Sequence, residues 1–355
     1  MNHKRLHTRL LALLLCCALV LPLSACGEDK STTQQIFAMD TVMDLTAYGK
    51  KADDGINAAI SIINSMDTLL DPENERSKTY EINHAMGGSV VVNEQIAKML
   101  RTAQTVYERS DGALDLTTYP LSKLWGFIDQ NYRVPSDAEI ERLLPCVDMS
   151  KVQLSSTDDS VNSLVTMPAD MSLSFGAVAK GCASDYAIQA MRAAGVTSGV
   201  VSLGGNVQTL GKKPDGSDWR VAVKDPADPS KFLGVLTAAD TFVVTSGIYE
   251  RGFEENGVRY HHIIDPKTGK PAESGLVSVT VVCGDGAWAD ALSTACFVLG
   301  EAGSLALRDT LAAEKNLRIE LILVTDDGHV RYTAGLAERF EPSEEGTYVY
   351  EAIIA

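Results

Sequence analysis

Tyr260-His-His-Ile-Ile-Asp-Pro-Lys-Thr-Gly-Lys-Pro271 reads as the end of a strand running into a chain reversal. Asp-Pro and Thr-Gly-Lys-Pro are strong turn signals, and they leave His262 and Asp265 just ahead of the turn. A strand-like run follows, Leu276 to Cys283, and then Trp288-Ala-Asp-Ala-Leu-Ser-Thr-Ala-Cys-Phe297, which reads as a helix opening near Ala287. On that helix Asp290 and Thr294 stand at i and i+4, so a carboxylate and a hydroxyl share one face. Hard oxygen ligands placed this way suit Mg2+. An imidazole close to such a site points to chemistry on a phosphate or a carbonyl. The alternative is a helix with a merely polar face.

Upstream, Gln35 to Tyr48 alternates like one strand, with Met39-Asp40-Thr41 in its middle. Asp54 to Leu70 has apolar residues at helical spacing, and Asp71-Pro72 stops it. Ser77 to Asn83 reads as loop running into a short turn. Val90 to Asn93 is strand-like, and Glu94 to Ser110 is a second amphipathic helix. From Asp111-Gly112-Ala113 to Trp125-Gly126-Phe127 no clean period exists, and carboxylates, hydroxyls and aromatics crowd together. Such irregular segments often line sites, the alternative being a packed loop around Trp125. Pro135 to Leu144 reads as a short helix.

Leu173 to Asp185 is a small-residue segment opening a helix that runs to Ala194. Lys180 puts a cation near the positive helix end, where an anion is favoured. The order Gly-x-x-x-x-Gly-Lys-Ser/Thr is absent, so this is not a Walker A loop. Val200 to Val207 reads as a strand broken at Gly204-Gly205, a bend or a close contact. Downstream, Gly303 to Leu311 is helical, and Glu320 to Val324 joins Val330 to Tyr332 as a hairpin through Asp326-Asp327-Gly328. Helices and strands mix without steady β-α-β alternation. The expected fold class is therefore α+β, with mixed, mostly antiparallel sheets packed against helices.

The N-terminus reads as a targeting segment. Lys4, Arg5 and Arg9 precede an apolar run from Leu10 to Leu21, then Leu23-Ser-Ala-Cys26. That ending resembles a bacterial lipobox, which implies cleavage before Cys26 and lipid on its sulfur. An ordinary secretory peptide is the alternative. The apolar run is short for a spanning helix, so the chain is expected to be anchored at the outer face of the bacterial cytoplasmic membrane. Residues 1–25 are then signal peptide, 26–34 a polar tether, and 35–355 one catalytic-size domain. Without the first 25 residues, 28 Lys/Arg face 47 Asp/Glu, a net charge of −19. Such a surface repels nucleic acid and anionic lipid, so an anionic ligand must be met by a local site. Cys146, Cys182, Cys283 and Cys296 show no Cys-x-x-Cys spacing and read as buried thiols.

Taken together, Met39-Asp40-Thr41, Asp111-Gly112 through Phe127, Gly176-Ala-Val-Ala-Lys-Gly181 with Asp185, Leu203-Gly-Gly-Asn206, Thr245-Ser-Gly247, His262 to Gly269 and Asp290-Ala-Leu-Ser-Thr294 resemble the ApbE family of flavin transferases, in family order. The resemblance implies an enzyme that takes FAD as substrate and moves its FMN half onto a Ser or Thr hydroxyl of an acceptor protein, releasing AMP. It implies Mg2+, with Mn2+ the alternative, held by oxygens at Ala177, Asp290 and Thr294. It implies FAD contacts at Met39, Asp111, Gly112, Ala113, Ser174, Lys180 and Ile264. His262 matches the family's catalytic histidine, with Asp265 the other candidate base. The expected acceptor is a membrane redox subunit. FAD hydrolysis to FMN and AMP, and simple flavin binding, remain the competing readings. Two positions depart from the family pattern: Ser174 stands where Asp is frequent, and Leu70 where an aromatic is common before Asp-Pro. Tyr80 or Tyr119 is then the expected partner for the flavin ring.

Overall fold

The computed structural model describes residues 30–157 and 162–353. Its centre is a nine-stranded sheet whose strands lie side by side in chain order. They are β1 (Ser31–Ala38), β2 (Thr41–Tyr48), β3 (Gly199–Leu203), β4 (Asn206–Leu210), β5 (Phe242–Gly247), β6 (Leu276–Cys283), β7 (Ile319–Thr325), β8 (His329–Thr333) and β9 (Val349–Ile353). Every neighbouring pair is antiparallel except β8–β9.

Alternation along the central strands serves two cores at once. Phe242, Val244, Val279, Val281, Leu321 and Leu323 face four long helices. Val243, Val282, Ile322 and Val324 face a small sheet of Trp219–Lys224, Phe232–Ala238 and Phe340–Pro342. Burial on both faces makes β6 read as a nearly continuous apolar run. The helices are α1 (Ala52–Leu70), α2 (Glu94–Arg109), α3 (Ala179–Ala193) and α4 (Gly286–Lys315). Ile56, Ala59, Ile63 and Met66 of α1, and Ile96, Met99, Leu100, Ala103 and Val106 of α2, are fully buried, as their spacing predicts. The α+β fold class stands.

The local differences have physical causes. The expected single strand at 35–48 is a hairpin: Met39 and Asp40 adopt φ of 48° and 57°, a two-residue turn built without glycine. The Met39 N–H is held by Asp67 Oδ1 at 2.8 Å, which helps offset that strained turn. Gly204-Gly205 is likewise a hairpin turn, joining β3 to β4, where a bend or a close contact was expected. The two turns touch, since a Cβ on Gly204 would lie 2.2 Å from Thr41 Oγ1. β1 opens at Ser31, so residues 31–34 belong to the sheet and not to a tether; Lys30 and Thr32 also bond Asp53 on α1. The expected leader, with Cys26, lies outside the described residues. Ser77 caps a short helix, Lys78–Asn83, where loop was expected, by accepting the Tyr80 N–H at 2.9 Å. The helices expected near Ala287 and Gly303 run on as α4, broken only at Gly300 (φ 72°, ψ −176°).

α3 and α4 cross in backbone contact. A Cβ on Gly181 would lie 2.0 Å from the Gly286 carbonyl oxygen, and one on Gly286 2.2 Å from the Gly181 oxygen. Gly181→Ala must push the helices apart, and urea unfolding should show a loss of about 3 kcal/mol.

Candidate active site

Six segments end near one another, and the sheet is what gathers them. The Met39–Asp40 and Gly204–Gly205 turns sit together at one end of β2 and β3. A Cβ on Gly205 would lie 2.9 Å from Glu250 Oε1, which brings the loop after β5 to the same place. Arg251 of that loop reaches Asp40 at 3.8 Å. Its backbone carbonyl accepts both the His262 N–H, at 3.2 Å, and the His262 ring Nδ1–H, at 3.1 Å. A carbonyl only accepts, so the proton is on Nδ1, and Nε2 keeps its lone pair.

The helix side supplies the oxygens. Asp290, 4% exposed, accepts the Gly181 N–H on Oδ2 at 2.9 Å. Gly181 is the third residue of α3, so its N–H is one of the first-turn donors without a partner inside the helix, and Asp290 supplies one from α4. The Ala177 carbonyl, just ahead of the helix, is without a hydrogen-bond donor among the described residues. Thr294, one turn along α4, is half-buried, and its hydroxyl also makes no protein hydrogen bond among the described residues. Lys180 follows directly. It is half-buried, makes no ion pair among the described residues, and its charge acts on both Glu250 and His262.

Electrostatics follow from this crowding. Desolvation pushes Glu250 up to about 7, Asp290 adds to the rise, and Lys180 opposes it. Glu250 is itself solvent-exposed, so the upward direction holds and the desolvation is incomplete. His262 is driven down to about 3, first by desolvation, then by the Arg251 and Lys180 charges, against the pull of its backbone bond. It is therefore neutral at physiological pH.

His261 points the other way, 7% exposed, with Nε2–H donating to the Ala272 carbonyl at 3.1 Å and its ring edge on Phe297. Burial takes it down to about 4. A histidine neutral in the fold and protonated when unfolded lends its stability in full above pH 6.5 and loses it as the pH falls toward the folded value. Each pH unit in that window costs about 1.4 kcal/mol for a fully buried imidazole. Urea unfolding should thus show stability falling from pH 6.5 to 4, with His261→Phe flattening the slope.

The family model described as the ApbE family matches residues 39–317. The chain belongs to the ApbE family. A Klebsiella pneumoniae protein described as FAD:protein FMN transferase is 34% identical over 293 residues, covering 82% of this chain and 88% of that one. One from Treponema pallidum, described in the same words, is 32% identical over 315 residues, covering 84% and 86%. The crystal structure of the ApbE protein from Thermotoga maritima superposes with a TM-score of 0.75 at 32% identity, covering 89% of this chain and 97% of that one.

Within this ApbE site the structure brings together Ala177, Lys180, His262, Asp290 and Thr294. A second ring lies beside them. Ile264, buried, bridges to Pro271 and packs with Leu121, Trp125 and Phe127. Lys267 is ion-paired to Asp111, tying the 262–271 loop to Gly112 (φ 80°) and the buried Ala113. Trp125 Nε1–H donates to the Gly269 carbonyl at 2.9 Å. Ser174 is tied to Leu116 through its N–H at 3.0 Å, and its Oγ accepts the Gly176 N–H at 3.3 Å. Asp265 departs from its expected role as base: its carboxylate folds back on the Lys267 N–H at 2.9 Å and anchors the turn.

Glu250 and Arg251 were missed by sequence reasoning. Their only signal is two charges two residues beyond Thr245-Ser-Gly247, and only the tertiary fold sets them against Asp40 and His262. Next to Ser172, whose chain runs on to Ser174, a cavity of about 560 Å³ opens between Pro72, Glu73, Tyr80, Tyr119 and Asp170. Tyr80 stacks on His84 at 3.8 Å, and the Tyr119 hydroxyl donates to Glu73.

Proposed function

We propose that this chain is an FAD:protein FMN transferase. It holds the FAD diphosphate at the start of α3, with the flavin in the cavity lined by Tyr80 and Tyr119, and passes FMN to a Ser or Thr hydroxyl of an acceptor protein. The hydroxyl oxygen attacks the FMN phosphorus, the P–O bond to the adenylate breaks, and AMP leaves. The hydroxyl proton goes to a base, for which His262 Nε2 has the lone pair.

The observation that carries this reading is the Asp290 carboxylate on the Gly181 N–H. It sets a carboxylate against the first turn of α3, beside Lys180 and the Ala177 carbonyl that has no donor among the described residues. Among the described residues no three His, Cys, Asp or Glu converge on a metal. One carboxylate, one carbonyl and one hydroxyl instead fit Mg2+, which takes few protein ligands and completes its shell with water and substrate phosphate. Ala177, Asp290 and Thr294 are the residues that would hold it, and the all-oxygen set disfavours zinc. When bound, the ion supplies charge stabilisation to the phosphoryl oxygens. Lys180 adds a fixed positive charge there.

The test mixes purified protein, FAD, Mg2+ and a candidate acceptor, then reads a fluorescent band in the gel and free AMP. A band with AMP supports transfer. AMP without a band would mean a pyrophosphatase, and neither product with flavin retained would mean a binding protein. The anchor at Cys26 and a place at the outer face of the membrane, beside a redox acceptor, belong to the same proposal. Membrane fractionation of cells tests the anchor.

A further inference from the structure

Lys98, on α2, belongs to none of the site's segments, yet it holds two of them. Its ammonium donates to Asp185 Oδ2 at 3.0 Å and to Asp285 Oδ2 at 2.9 Å. Asp185 stands one turn past Gly181 on α3, and its Oδ2 also accepts the Gly286 N–H at 3.2 Å. Asp285 is the N-cap of α4, accepting the Trp288 N–H on Oδ1 at 3.1 Å. No side chain separates the helices where Gly181 meets Gly286, so their spacing is set from outside the crossing.

We propose that Lys98 is a positioning residue for the flavin site: by neutralising Asp185 and Asp285 together, it keeps α3 and α4 in backbone contact and so holds the Gly181 N–H on Asp290. Two carboxylates left facing each other without a cation repel, and burial first, then Asp285, already push the Asp185 carboxyl upward. The consequence is specific because the Gly181 N–H, in the first turn of α3, has no partner within its own helix. If α4 withdraws, that N–H loses its acceptor, and the Asp290 carboxylate leaves the start of α3, where the proposed cation site requires it. The value of the device to catalysis rests on the function proposed above, whereas the clamp itself does not.

Lys98→Met keeps the aliphatic stem and removes the charge. Amide exchange at Gly181 should then quicken in the ligand-free protein. Mg2+-dependent FAD binding, read by quenching of flavin fluorescence, should weaken about ten-fold, the usual scale for losing an outer-shell support. The kcat at saturating FAD and Mg2+ should change far less than the half-saturation values. Lys98→Arg, whose fork spans both carboxylates, should restore FAD binding to within about three-fold. A folded Lys98→Met protein with wild-type Gly181 exchange and wild-type FAD affinity would overturn the proposal. Should that variant not fold, Lys98→Gln, which also removes the charge and leaves both carboxylates in place, is read by the same two measurements, and unchanged values there overturn it equally. A wild-type protein that binds no FAD would sink the flavin assignment and leave the exchange test of the clamp in force.

Discussion

Asp290→Asn is expected to lower FMN transfer about a thousand-fold while leaving the protein folded. The amide oxygen of Asn can still accept the Gly181 N–H, so the α3–α4 contact survives. What disappears is the negative charge of the carboxylate. With it goes the only anionic oxygen among Ala177, Asp290 and Thr294, and a hard divalent ion held by two neutral oxygens is held poorly. Thermal melting near the wild-type value, together with raised Mg2+ demand and lost AMP release, is the expected pattern. Asp290→Ala should behave worse on both counts, because it also strands a buried N–H at a cost of about 1–3 kcal/mol. A protein that only stores flavin predicts neither result. Wild-type transfer by a folded Asp290→Asn variant would remove the cation site from the account.

What the sequence disclosed here, and what it concealed, divides by range. Asp290 and Thr294 were visible as a pair because i and i+4 on a helix is a local relation. Ile56 to Met66 and Ile96 to Val106 were visible for the same reason, through their period. The Met39–Asp40 reversal was hidden because its two left-handed residues include no glycine, and alternation continues across it on either side. Gly204-Gly205 announced a special backbone, yet a bulge and a two-residue hairpin use the same residues, and only the pairing of β3 with β4 separates them. Asp265 was overread: a carboxylate beside a histidine in sequence points into its own turn in the fold. Glu250 was underread, since its meeting with Lys180 and Asp290 depends on β5, α3 and α4 converging from positions far apart. The bond from the Gly181 N–H to Asp290 is a purely tertiary fact, and it is the one that gives the small-residue segment at 176–181 its chemistry.

His262→Ala should cost about a hundred-fold or more in transfer to acceptor, with FAD affinity changed by less than about three-fold. The geometry explains the separation. The imidazole contributes an Nε2 lone pair aimed by the Nδ1–H bond to Arg251, and it carries no positive charge with which to hold a diphosphate. Burial and the neighbouring cations keep it neutral, with a folded pKa of about 3, so its readiness as a base does not change between pH 5 and 8. A His262-driven reaction therefore shows no acid limb near 6.5, the ordinary imidazole value. Glu250 predicts the contrary profile. Its carboxyl, pushed up to about 7, would gain basicity as the pH rises through neutrality, and Glu250→Gln would erase that limb. The pair of variants decides between them. A flat profile with loss in His262→Ala places the proton on the imidazole; a limb near neutrality that vanishes in Glu250→Gln, with His262→Ala still active, moves it to the carboxylate and leaves His262 as the prop of the Arg251 loop.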